Sequence, residues 1–400
     1  QLLDYQWGMF WRSCELFQIP RNRWIIQMPT GSGKTRTAME LIHTVLDAPE
    51  NHNAIILWLA HSEELCEQAI DCFVSTRQHV GRFPSYVVRM WGNQHRGPLP
   101  QGRTFVVITY QKLVAMYRSE QNTEDFRRSR LVILDEAHMA VAPQYNKAIQ
   151  NLLREGTSTL VGLTATPIRT IESETLKLRE FFLDNLVAIT DGGKNDLNDL
   201  LKRGILSHPT FELIETEQSF ELTTKEISDL ENQFDFPPGL LKRIGSHDLR
   251  NGMILRRLQE LVAEGRSILL FACSVDHSRF LASTLEFLGV RAHHLDGTMD
   301  RGARSSAISD FRHKKVRVLC NYGVLTTGFD APNTDVVFIA RPTSSPVLYS
   351  QMVGRGMRGP RMGGNTSFRV IDVRDNFFDH GQPLDLFARF QAKWQKCFVV

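Results

Sequence analysis

The sequence predicts an α/β fold made of two parallel-sheet domains in tandem. Three observations predict it. Short runs rich in Val, Ile and Leu alternate with longer helical stretches; the runs lack the period-two alternation of half-buried strands; and they fall in two series separated by a polar interval. At 400 residues the chain is also too long for one compact core and suits two domains of ordinary size.

In the first series the strands are expected at 24–28, 54–60, 85–90, 104–110, 130–136 and 157–165. The second series runs 210–215, 267–274, 290–296, 316–322, 334–340 and 367–373. The expected division is therefore a first domain over 1–185 and a linking region over 186–265. That region holds the first strand of domain two and a helical insertion. A second domain over 266–380 and a C-terminal helical extension over 381–400 complete the chain.

Composition narrows the class. Apolar residues make up 42% and charged residues 23%, as in soluble globular proteins. Apolar runs such as Ala54 to Ala60 fall short of the roughly 20 residues that span a bilayer. No basic segment followed by an apolar stretch opens the chain, so nothing points to secretion and an intracellular, cytoplasmic setting is expected. The chain begins at Gln1 without Met and is expected to be part of a longer protein. Six cysteines form no CxxC pair, which points to a reducing environment and no metal cluster. A net charge of +3 neither demands nor excludes nucleic acid.

The chemistry begins where the first expected strand runs into Pro29-Thr30-Gly31-Ser32-Gly33-Lys34-Thr35 and then a helical stretch. Strand, glycine-rich loop and helix together make a phosphate cradle. Gly31 and Gly33 let backbone N–H groups wrap phosphate oxygens, with Thr30 and Ser32 in the same loop. Lys34 supplies a point charge, and the Thr35 hydroxyl suits Mg²⁺. Met28 stands where the usual first glycine would be. A second apolar strand ends in Asp135-Glu136-Ala137-His138, placing two carboxylates at the carboxyl edge of a sheet. Asp135 is expected to hold Mg²⁺ through its water shell and Glu136 to orient or deprotonate the attacking water. ATP and Mg²⁺ are the cofactors this implies.

These motifs, with Thr164 and Thr166 in LTATP, Thr326 to Asp330 in TTGFD, and Gln351 to Arg358 in QMVGRGMR, resemble the superfamily 2 helicases and translocases in order and spacing. Within that superfamily the chain looks most similar to the bacterial group that includes RadD and the type III restriction motor subunits, with the repair helicase XPB more distant. The resemblance implies RecA-like domains with the ATP site in the cleft between them. It implies that Gln6, with Tyr5 beside it, reads adenine, and that Asp330 lies near the ribose. Thr164 and Thr166 would couple the ATP site to nucleic acid. Arg355 and Arg358 would approach the γ-phosphate; three residues apart on a helix, they are expected to share one face. Gln351, one turn earlier, would touch the phosphate or the attacking water.

Nucleic acid is the partner this implies, DNA before RNA. The candidate contacts are His61, Ser62, Thr109 and Tyr110 in the first domain and Ser274, Gly297, Arg304, Thr326 and Thr327 in the second. Hydroxyls and backbone N–H groups at strand ends suit contacts to phosphate that ignore base identity. The interval from Asp330 to Gln351 is too short for a strand-splitting hairpin as well as a strand. Three readings follow: a motor on nucleic acid, an ATP-gated sensor of duplex, and a scaffold that keeps the fold without hydrolysis. Intact Lys34, Glu136, Arg355 and Arg358 argue against the last.

Overall fold

The computed structural model of the protein describes residues 2–92, 94, 97–119, 123–155, 158–165, 172–189, 196–232, 235–324, 334–379 and 381–384. They form two compact units dividing near residue 195, each built on a seven-stranded sheet.

The first unit runs α1 (Asp4–Phe17), β1 (Arg23–Gln27), α2 (Lys34–Asp47), β2 (Ile55–Ala60), α3 (Glu63–Val80), β3 (Tyr86–Met90), β4 (Thr104–Thr109), α4 (Tyr110–Arg118), β5 (Ser129–Asp135), α5 (Pro143–Glu155), β6 (Thr159–Thr164), α6 (Glu172–Phe181) and β7 (Leu186–Ala188). Every residue of β2, β4 and β6 is buried, which is why these strands read as unbroken apolar runs. Strand order is β3-β4-β2-β5-β6-β1-β7, parallel throughout. All six strands expected in this half are present. β7 was not expected; it pairs with β1 at Ile25, Ile26 and Gln27 and carries the first unit past residue 185.

The second unit continues with α7 (Asp196–Lys202), β8 (His208–Glu221), α8 (Thr224–Asn232), α9 (Pro238–Gly245), α10 (Asp248–Ala263), β9 (Ile268–Phe271), α11 (Val275–Phe287), β10 (Ala292–Leu295), α12 (Arg301–Arg312), β11 (Val318–Asn321), β12 (Val336–Ile339), α13 (Pro346–Val353), β13 (Ser367–Asp379) and β14 (Gln382–Leu384). Order is β10-β11-β9-β12-β13, with β8 parallel to β13 and β14 antiparallel to it. The extension expected to be helical thus opens with a strand; residues 385–400 lie outside the described residues. The stretch before α10 is packed rather than an appendage: Phe220 and Phe236 are buried and both rings lie against Phe377. No helix among the described residues is long and apolar enough to cross a membrane.

One polar network inside the second unit was invisible in the sequence. Arg250 and Asp375 are both fully buried, and the Arg250 Nε lies 2.9 and 3.0 Å from the two Asp375 carboxylate oxygens. Arg250 Nη2 also donates to the Ala340 carbonyl at 2.6 Å, and the Thr216 hydroxyl donates to Asp375 at 2.7 Å. The pair ties α10 to β8, β13 and the end of β12.

Candidate functional site

In the first unit the site grows from three adjacent strands. Gln27 at the end of β1 is level with Thr164 at the end of β6, and Leu163 is level with Asp135 at the end of β5. Strands sit about 4.8 Å apart. The loop after β1 and the carboxylates after β5 therefore leave the same sheet edge, one strand apart, with Thr164 between them. Thr164 is fully buried, and its carbonyl accepts from the Met28 N–H at 3.1 Å.

The loop has the backbone its glycines foretold. Gly31 and Gly33 have φ of +84° and +86°, a left-handed region that costs a side chain strain. Gly33 is the N-cap of α2 and no side-chain hydrogen bond caps that helix, which leaves first-turn N–H groups for an anion. Lys34 folds back over the loop, donating from Nζ to the Met28 carbonyl at 3.1 Å. Ser32 is buried, while Thr30 and Thr35 are half-buried.

Asp135 is 8% exposed, and its Oδ1 accepts from the Glu136 N–H at 3.1 Å. Glu136 itself has φ 53°, ψ 61°, a conformation uncommon for residues other than Gly, Asn and Asp, and held only where surroundings impose it. The turn aims its carboxylate toward His138, whose Nδ1 lies 3.4 Å from Glu136 Oε2. His61 lies within reach of the Glu136 charge: burial lowers the basicity of His61, and that charge opposes it. The sequence alone assigns His61 to a nucleic-acid surface.

Other expected contacts divide. Ser62, Thr109 and Ser274 use their hydroxyl oxygens as N-caps, accepting from Leu65, Lys112 and His277 N–H groups. The register Ala60↔Thr109 places the first two at the same edge of the sheet. Tyr110 is a correction. It is 1% exposed and donates its hydroxyl to the Asp135 carbonyl at 3.0 Å, so its side chain is a core tether, not a surface. Gln6 and Tyr5 are buried on α1, and Gln6 Oε1 accepts from the Leu3 N–H at 2.8 Å.

In the second unit Ser274 and Gly297 follow β9 and β10, whose carboxyl ends share one edge. Gly297 is exposed. Arg304 on α12 donates to the Met299 carbonyl at 3.2 Å. Unforeseen was a chain of contacts beneath this loop. His294 Nδ1 lies 2.7 Å from the Ser278 hydroxyl and its Nε2 lies 2.9 Å from Asp296 Oδ2, while Asp296 Oδ1 accepts from Thr298 N–H and hydroxyl. Burial raises the Asp296 pKa, but these hydrogen bonds outweigh it and hold the carboxyl below the usual range. Thr166, Thr326, Thr327 and Asp330 lie outside the described residues.

Arg355 and Arg358 are not on a helix, contrary to expectation. α13 carries Gln351 and ends at Val353. Beyond it, Gly356 lies so close to Phe368 that a Cβ would stand 2.1 Å from the ring. The chain then runs alongside residues 204–207: Ser207 N–H donates to Met357 O, Gly359 N–H donates to Ile205 O, each at 2.9 Å, and Leu206 bridges Arg358. The following Pro360 disfavours helix at Gly359 as well. Two half-buried arginines thus sit on a loop braced by β13 and the segment after α7.

α13 is in turn held by Tyr349, whose hydroxyl donates to the buried Asp372 at 2.8 Å. Burial pushes the Asp372 carboxyl up to about 7, against the lowering effect of Tyr349. In the unfolded chain it titrates near 3.9, so between roughly pH 4 and 7 the native state holds a proton that the unfolded state has lost. Stability from this group falls as pH rises through that window. Accordingly, Asp372→Asn, measured by urea unfolding, is expected to be more stable relative to the parent at pH 8 than at pH 5; an unchanged difference would refute the assignment.

Comparison with known proteins adds the following. Residues 1–169 match the family model of the type III restriction enzyme res subunit, and residues 253–360 match the helicase conserved C-terminal domain. A 51.5 kDa protein of Lactococcus phage (isolate 7-9) is 26% identical over 93% of this chain and 71% of its own length. The Schizosaccharomyces pombe protein irc3, by its name a mitochondrial ATP-dependent helicase, is 28% identical over 90% of this chain. The chain spans 55% of that protein's length. Among solved structures, Saccharomyces cerevisiae Dbp5 bound to RNA and ADP BeF3 matches with a TM-score of 0.61 at 16% identity, covering 100% of this chain and 92% of that one. That last likeness speaks to the fold.

Proposed function

Taking as premise that this chain belongs to the ATP-hydrolysing superfamily 2 helicase family, related to the motor subunits of restriction enzymes, we propose that it is a motor driven along nucleic acid by ATP, acting on DNA before RNA. The observation that carries the reading is the shared edge of β1, β6 and β5, where phosphate loop, Thr164 and paired carboxylates converge. The restriction-enzyme match over the first unit supports DNA.

In this proposal the loop from Thr30 to Thr35 binds the phosphates and Glu136 orients the attacking water, with His138 holding its carboxylate. Arg355 and Arg358 neutralise charge on the transferring phosphoryl group, and Gln351 aids them. A hydroxyl at Thr35 and a buried carboxylate at Asp135 form a hard-oxygen donor set that fits Mg²⁺. Bound there, the ion would neutralise phosphate charge. Ser62, Thr109, Ser274, Gly297 and Arg304 are the proposed contacts to the nucleic-acid backbone.

The test is ATP turnover with single-stranded DNA, duplex DNA and RNA, paired with strand- and triplex-displacement assays. DNA is expected to stimulate turnover most. Stimulation by RNA alone overturns the DNA assignment, and stimulation without displacement assigns an ATP-gated switch instead. Lys34→Ala removes a charge-assisted contact of about 1.5–3 kcal/mol, so labelled ADP should bind roughly 10- to 100-fold more weakly. Unchanged affinity would remove Lys34 from the phosphate site.

A further inference from the structure

A groove enclosing about 800 Å³ opens in the first unit between α5 and α6, at the amino end of β1. Its position separates it from the phosphate loop: Arg23, in its wall, begins β1, while the loop follows Gln27, roughly 13 Å along the strand. Three cations line it, Arg23, Lys147 and Lys177, against one carboxylate, Glu180. Asn146, Lys147, Gln150 and Asn151 project from neighbouring positions on α5.

These polar groups are almost unused by the protein. Arg23 donates one long hydrogen bond, 3.4 Å, to the Phe181 carbonyl and lies over the Phe181 ring. Among the described residues no carboxylate pairs with Arg23, Lys147 or Lys177, and no side chain bonds Asn146, Gln150 or Asn151. Burial lowers the basicity of Arg23 and no acidic neighbour offsets it. A half-buried guanidinium with no carboxylate partner, facing two lysines and three carboxamides across the groove, is a donor set suited to an anion. The volume falls in the range of small-molecule sites, about 300–1,000 Å³.

We propose that this groove binds a small phosphorylated molecule. The three cations hold its phosphate, and the carboxamides, which both donate and accept, bond a hydroxyl-bearing or base-bearing body. The ligand class is therefore a sugar phosphate or nucleotide rather than a bare acid.

The test titrates inorganic pyrophosphate calorimetrically into the whole chain with the phosphate loop already saturated by ADP. One further site is expected. Lys147→Gln with Lys177→Gln, two exposed positions that leave the fold intact, should weaken it by about tenfold or more. The matching Lys-to-Arg pair should retain it, and ADP affinity should not change in either. No binding at millimolar pyrophosphate, or equal binding in the Gln pair, overturns the proposal. Loss of affinity for an oligonucleotide in the Gln pair, with no pyrophosphate site in the parent, makes the groove a nucleic-acid surface and equally overturns it.

Discussion

Glu136→Gln is expected to bind ATP as the parent does and to hydrolyse it at least ~10³ times more slowly, within the range for losing a positioned general base. The substitution keeps the size of the side chain and its ability to accept a hydrogen bond, while removing the negative charge. The left-handed backbone at this position (φ 53°) is imposed by the turn after β5, and glutamine bears it as glutamate does. Two readouts separate the outcomes. Labelled-nucleotide affinity checks that the loop from Thr30 to Thr35 is intact, and single-turnover hydrolysis reads the chemistry. Turnover within about tenfold of the parent would take Glu136 out of its proposed role. His138→Ala, which removes only the imidazole at 3.4 Å, should cost less than Glu136→Gln.

The second large effect concerns the second unit. Arg250→Ala leaves the Asp375 carboxylate fully buried without its cation, a loss of about 3–5 kcal/mol when one partner of such a pair is removed. Burial works against the charge of Arg250, and it is the charge of Asp375 that outweighs this. Replacing the pair together, Arg250→Met with Asp375→Leu, should recover most of the loss, because no buried charge then remains. Urea unfolding, followed with a probe in the second unit, measures both. A cost under about 1 kcal/mol for Arg250→Ala would mean that water or another group solvates Asp375, and that the pair does not fasten α10 to β13.

How much of this was legible beforehand depended on the distance over which the controlling interactions act. All twelve expected strands exist, ten of them within a few residues of their expected limits, with β8 reaching fourteen residues rather than six and β13 thirteen rather than seven. A strand buried on both faces writes an unbroken apolar run into the sequence, whatever its neighbours are. The phosphate loop was equally legible, since the positive φ of Gly31 and Gly33 and the start of α2 at Lys34 are properties of a few consecutive residues. Misreadings arose where distant groups decide the matter. A helix through Arg355 and Arg358 fits the local spacing, but Phe368 and residues 204–207 occupy the space and hold the chain as a loop. Tyr110 reads as a strand-end residue open to solvent until β5 supplies the Asp135 carbonyl that its hydroxyl reaches.

The sequence by itself determined twelve of the strands, though not β7 or β14, where phosphate chemistry is concentrated, and which side chains carry charge to it. Those follow from local patterns and from residue types at fixed covalent spacing. Only the tertiary structure decided that β6 lies between β1 and β5, that the Glu136 carboxylate reaches His138, and that Arg250 and Asp375, 125 residues apart, form one buried pair. Strand order and buried pairing are settled by packing between segments far apart in the chain, and no local pattern of residues encodes which partner a side chain will meet.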